Sequence, residues 1–232
     1  MNPYQPARAG AWGTADRGDS RDRFLVRTYN TLFVAILAFA GIEVGLFMSG
    51  LAPVIAKALL GTSWFLVMGA FMLVGWLATR AAHTAESKVA QFGALAAYVV
   101  MEAIIFVPML YIANAYAPGV ISSAGLITIA GFAGLTGIAF WTRKDFSFLG
   151  GLLKWGGILA LVAIGASLIF GFTLGVFFSV AMIGLAGAAI LYDTSNILHH
   201  YPEDRYVGAA LQLFASVALM FWYVLRVLMD RR

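Results

Sequence analysis

The chain has no cysteine in its 232 residues, which excludes a disulfide framework, a thiolate metal site and a cysteine nucleophile. Charge is scarce as well. Lys, Arg, Asp and Glu make up 11% of the residues, against roughly 25% in an ordinary soluble domain. A chain of this size folded in water keeps a large solvent-facing surface, and so few charges do not cover it. Enzyme signatures are missing too: the sequence holds no GxSxG, no Walker A run and no GxGxxG. A two-aspartate intramembrane protease would need two acids inside apolar runs, where Asp193 is the sole aspartate. The chain therefore reads as a non-enzyme without a cofactor. Its net charge of +4 is not a nucleic-acid footprint.

What is abundant is apolar sequence, 62% of the residues with a mean hydropathy of +0.87. The solvent is then mostly lipid. Seven stretches reach the length needed to cross about 30 Å of hydrocarbon: Tyr29 to Met48, Ser63 to Thr79, Ala90 to Ala113, Val120 to Trp141, Leu149 to Phe170, Thr173 to Ile197 and Gly208 to Met229. The fifth and sixth are separated only by GFTLG, residues 171–175, but one helix across both would far exceed a bilayer crossing. The expected fold is an all-α transmembrane seven-helix bundle spanning residues 28–232. Residues 1–27, with five arginines and three aspartates and no apolar period, read as a flexible cytoplasmic tail.

Basic residues orient the bundle. With the N-terminus inside, the tail, Arg80, Lys88, Arg143, Lys144 and Arg205 fall on one side, and Lys57, Arg231 and Arg232 on the other. This predicts a cytoplasmic N-terminus and a periplasmic C-terminus, with the basic MDRR end as the discordant feature.

Carboxyl groups in hydrocarbon are expensive and face a cavity, a partner or the bundle interior. Glu43, Glu102 and Asp193 are of this kind and are the leading functional candidates. On the last span, Gln212 and Ser216 are four apart and present one polar edge. Asp193 is expected to face that edge, with Tyr192 and Gln212 as supporting residues and Arg80 as a charge partner. His83, His199 and His200 sit at the predicted cytoplasmic rim without metal-ligand spacing and read as interfacial histidines.

The block LYDTSNILHHYPEDRYVGAALQLF, residues 191–214, resembles the signature region of the Bax inhibitor family, in its bacterial YccA-like branch. TRKDFSFLG, residues 142–150, is similar to that family's charged turn before the fifth helix. The resemblance implies six helices around a central seventh in a bacterial inner membrane. It also implies one of two activities: a pH-influenced calcium leak channel, or a modulator of a membrane-bound AAA quality-control protease. The family's pH sensor pairs two aspartates, on the sixth and seventh helices, with an arginine on the second. Asp193 matches the first, Arg80 matches the arginine, and Ser216 stands where the second aspartate belongs. Without that aspartate the pair's shared titration is lost. Asp193, Ser216, Arg80, Glu43 and Glu102 then form the expected ion path or gate, with at most weak, transient calcium at Asp193, since calcium takes six to eight oxygens.

Overall fold

A computed structural model describes residues 12–230, and every regular element among them is helical. In chain order these are α1 (Trp12–Met48), α2 (Ala52–Leu60), α3 (Trp64–Thr84), α4 (Lys88–Tyr116), α5 (Val120–Thr142), α6 (Leu149–Phe170), α7 (Val176–His199) and α8 (Tyr206–Asp230), with a 3-10 turn at Glu203–Arg205. All but α2 contain a stretch long and apolar enough to cross a membrane, which gives seven candidate spans. The MDRR end runs into residues 231–232, which lie outside the described residues.

The break between α6 and α7 is built on Gly171, whose φ of 71° lies in the left-handed region that glycine enters without strain. Its N–H closes the last turn of α6 on the Ser167 carbonyl. Pro108 sits inside α4 without ending it. In a membrane bundle the carbonyl it leaves unpaired is tolerated where neighbouring helices cover it.

α8 is the axis of the bundle. It packs against α1, α3, α4, α5 and α7, and 67% of its most apolar stretch is buried, against 6% of that of α6. Two core clusters lie along it. One gathers Phe24, Leu32, Leu95, Val99 and Leu211; the other gathers Phe106, Leu110, Ile190, Met220 and Leu225. Phe39 of α1 joins them, edge-on to Phe106, Phe214 and Phe221 at centroid separations of 5.2, 6.1 and 6.5 Å.

Two elements differ from the sequence reading. The proposed tail is helical from Trp12, while residues 1–11 lie outside the described residues. The helix extends because Phe24, Thr28 and Leu32 recur at four-residue spacing and are all buried. Its arginine at position 21 is satisfied by carbonyls, donating to Ile197 O at 2.5 Å and Tyr201 O at 2.6 Å at the C-terminal end of α7, where unpaired carbonyls favour a cation. The second difference is α2, nine residues in a segment read as a connection. Pro53 falls in its first turn, where a missing N–H costs nothing. Ala52 and Ala56 bury one small-residue face against Val107 of α4.

Candidate functional site

α7 and α8 form an antiparallel pair joined by residues 200–205, so the last turns of α7 lie beside the first turns of α8. Asp193, 4% exposed, points into this contact. Gln212 Nε2 donates to its Oδ1 at 2.8 Å and Ser216 Oγ donates to its Oδ2 at 2.6 Å. One turn of α8 thus serves both carboxylate oxygens, and the serine occupies the place opposite the acid.

Two other expected partners lie elsewhere. Arg80 is exposed with its guanidinium 5.3 Å from the Trp76 ring centroid, one turn earlier on α3. The ion pairs among the described residues are His200–Asp145 at 3.6 Å and Arg205–Asp204 at 3.1 Å, so the proposed Arg80–Asp193 pair is not formed. Tyr192 packs its ring over Gly150 at the start of α6 and does not support the aspartate. Successive helical residues point about 100° apart, so the neighbour of an inward side chain need not face the same contact.

Glu102 of α4 and Ser216 line a shared cavity of about 840 Å³, walled by α3, α4, α6, α7 and α8 and reaching the 171–174 connection. Ser216 therefore stands between the cavity and Asp193. Glu43 is not part of this wall. Both of its carboxyl oxygens are buried without a hydrogen bond, on the face of α1 that carries Phe39 and Phe47 into the core. The three acids thus divide into a hydrogen-bonded one, a cavity-lining one and an isolated one. Among the described residues, no three His, Asp or Glu side chains converge as metal ligands.

Sequence reasoning missed two features of the same signature. Thr194, next to Asp193, is fully buried, and the Tyr29 hydroxyl faces those of Thr194 and Thr136 without hydrogen-bond geometry to either. Side chains of α1, α5 and α7 thus meet here as three buried hydroxyls without partners. Ser195 Oγ accepts the Phe146 N–H at 2.8 Å and reaches Lys144 O at 3.4 Å. The charged turn before α6 is thereby docked on the end of α7, so the two sequence blocks that carried the resemblance are in physical contact. In that turn Asp145 accepts the Ser147 N–H at 2.8 Å. That backbone bond, then the Ser147 hydroxyl, with smaller help from the neighbouring histidines, holds its carboxyl below the ordinary carboxylate value.

The histidines are spread over the rim. His83 bonds Thr79 O at 2.7 Å and the Tyr201 hydroxyl, His199 bonds Ser195 O at 3.0 Å, and His200 faces Asp145. Lys88 donates to Asp204 O and Arg205 to Ala85 O, tying the α3–α4 and α7–α8 connections together.

Seven apolar crossings, a central last helix and a buried aspartate at the end of the penultimate one define a polytopic membrane protein with a polar site inside its helix bundle. Residues 21–232 match the family model described as inhibitor of apoptosis-promoting Bax1, and the chain belongs to this Bax inhibitor family of integral membrane proteins. Among its relatives, the uncharacterized protein PA2604 of Pseudomonas aeruginosa is 36% identical over 109 residues, 47% of this chain and 49% of the relative. The modulator of FtsH protease YccA of Escherichia coli is 36% identical over 88 residues, 38% of this chain and 40% of the relative. Bax inhibitor 1 of Schizosaccharomyces pombe is 33% identical over 117 residues, 47% of this chain and 42% of the relative. The chain spans less than half the length of each of these relatives.

Proposed function

We propose that the protein is a cation leak of a bacterial inner membrane, with its N-terminus cytoplasmic and calcium as the favoured ion. Asp193 and Ser216 act at the inner end of the bundle's cavity, and the carrying observation is that Ser216 both lines this cavity and donates to Asp193. In this reading an ion enters from the 171–174 end, passes Glu102 and meets oxygens of Ser216 and Asp193. So few ligands bind calcium weakly, which suits transit because the ion must also leave. Lysine and arginine bias supports the orientation, and the name of a second E. coli relative, inner membrane protein YccA, supports the location.

The test is calcium efflux from vesicles containing wild type or Asp193→Asn, measured across the pH range in which carboxyl and imidazole groups titrate. Efflux from the wild type that the substitution changes at least about tenfold, roughly 1.4 kcal/mol in the barrier, is the expected result. Efflux no greater than from empty vesicles, with folded protein present, overturns the reading.

A second reading has a specific observation in its favour. The relative YccA of E. coli is named a modulator of FtsH protease, and this chain shares 36% identity with it over 88 residues. A non-conducting modulator of a membrane-bound AAA protease is then the function that an absence of flux would favour. Co-purification of such a protease with the full chain is its direct test.

A further inference from the structure

The cavity has a shape and a charge that the ion path does not explain. It extends along α8 from Ser216 to Arg226, ten residues or about 15 Å of helix. α6 faces it with Gly157, Ala160, Leu161, Ile164 and Leu168, an apolar stripe at helical spacing. The two flanking walls, α3 and α6, are not closely packed on each other: α3 packs on α4 and α8, and α6 on α7. The cleft between them consequently faces the hydrocarbon. An apolar space of this size with a few convergent polar groups is the usual form of a ligand site.

Its mouth carries one uncompensated cation. Arg226 lies beside the connection between α6 and α7 and donates one N–H to Leu174 O at 2.8 Å. A guanidinium has five donors, and among the described residues no carboxylate pairs with this one. Such a group at a helix end, below an open apolar slot, is suited to a phosphate at the membrane interface, since arginine binds phosphate through paired donors.

We propose that the cleft between α3 and α6 is a lipid site, in which one acyl chain of an anionic phospholipid enters sideways and its phosphate binds Arg226. The tail points toward Ser216 and the head stays at the level of the 171–174 connection, so the lipid and an ion on the proposed path exclude each other from this cavity. Charge complementarity selects an anionic lipid over a zwitterionic one.

Gly157 supplies a test that preserves the fold. A Cβ added there meets nothing within 4 Å, so Gly157→Leu fills the slot without a backbone clash and replaces glycine with a better helix former. Gly165, on the same helix and equally open but outside the cavity wall, is the control. The full chain in neutral detergent is titrated with phosphatidylglycerol and examined by native mass spectrometry, with phosphatidylcholine in parallel. Wild type and Gly165→Leu should each hold one phosphatidylglycerol after weaker lipids are stripped, Gly157→Leu should hold none, and Arg226→Gln should weaken binding about tenfold. Phosphatidylcholine should bind more weakly than phosphatidylglycerol to the wild type. Equal retention by Gly157→Leu, with melting and helicity like the control, would mean ordinary surface lipid and overturn the site. Unchanged binding by Arg226→Gln, or equal binding of the two lipids, would overturn the anionic anchor. None of these readouts depends on ion flux.

Discussion

Asp193 and Glu43 are nearly equally buried, 4% and 7% exposed, yet their surroundings are opposite. Asp193 lies where two helices cross with a polar edge already in place, and each of its oxygens accepts a side-chain donor from α8. Glu43 faces the aromatic core from α1, and neither oxygen has a donor. A buried polar group that is paired contributes modestly to stability, whereas an unpaired one carries its full desolvation cost. The same chemical group therefore stabilises one helix contact and burdens another. Burial alone does not tell which carboxyl holds the fold together; the partner does.

The strongest way to break this contrast is Asp193→Leu. It strands the buried Ser216 Oγ, at a cost of about 1–3 kcal/mol, and the half-buried Gln212 Nε2, at a smaller one because water reaches it. A loss of roughly 2–5 kcal/mol in detergent unfolding is expected, with the α7–α8 contact loosening first. A variant as stable as the wild type would show that these hydrogen bonds contribute nothing net. The opposite sign is expected at Glu43. Glu43→Met keeps the length of the side chain and removes an unpaired carboxyl, so stability should rise by about 1–2 kcal/mol, read as a higher melting temperature at the same detergent concentration. A fall would mean that Glu43 has a partner in the folded protein. If the rise is accompanied by lost activity, the acid is retained for function at a cost in stability.

The crossings and the Asp193 contact were readable from the sequence for physical reasons. Long apolar runs report the lipid directly, and Gln212 and Ser216 stand out because four-residue spacing puts two polar groups on one edge of an apolar helix. The Arg80 assignment failed because charge in a sequence carries no direction. On α3 the arginine shares a face with Trp76 and stays exposed beside that ring instead of meeting an acid. The N-terminal part of α1 was obscured by its arginines, which mask the buried period of Phe24, Thr28 and Leu32. Arg21 is compensated by carbonyls almost the whole chain away, a partnership without any local signal. α2 was missed because nine residues, alanine-rich and short of a crossing, give too weak a periodicity to separate helix from connection.

The smallest expected effect lies outside the hydrocarbon and sharpens the comparison by adding a third carboxyl, one in water. The Ser147 N–H and hydroxyl, and less so the nearby histidines, hold the Asp145 carboxyl below the ordinary carboxylate value. A carboxyl depressed in the folded state contributes stability that is fully present above its unfolded value and is lost as pH falls through its folded value. Acidification through the carboxylate range should therefore lower the amide protection of Phe146 and Ser147 in the wild type, with exchange taken relative to the intrinsic rate at each pH. Asp145→Asn keeps an oxygen for the Ser147 N–H but cannot titrate, and should flatten that pH step while leaving the α7–α8 contact unchanged. If the step survives the substitution, another group controls the docking of the turn onto Ser195. If the step vanishes but Asp193 and its donors loosen as well, the solvated and buried carboxyls are coupled through α7.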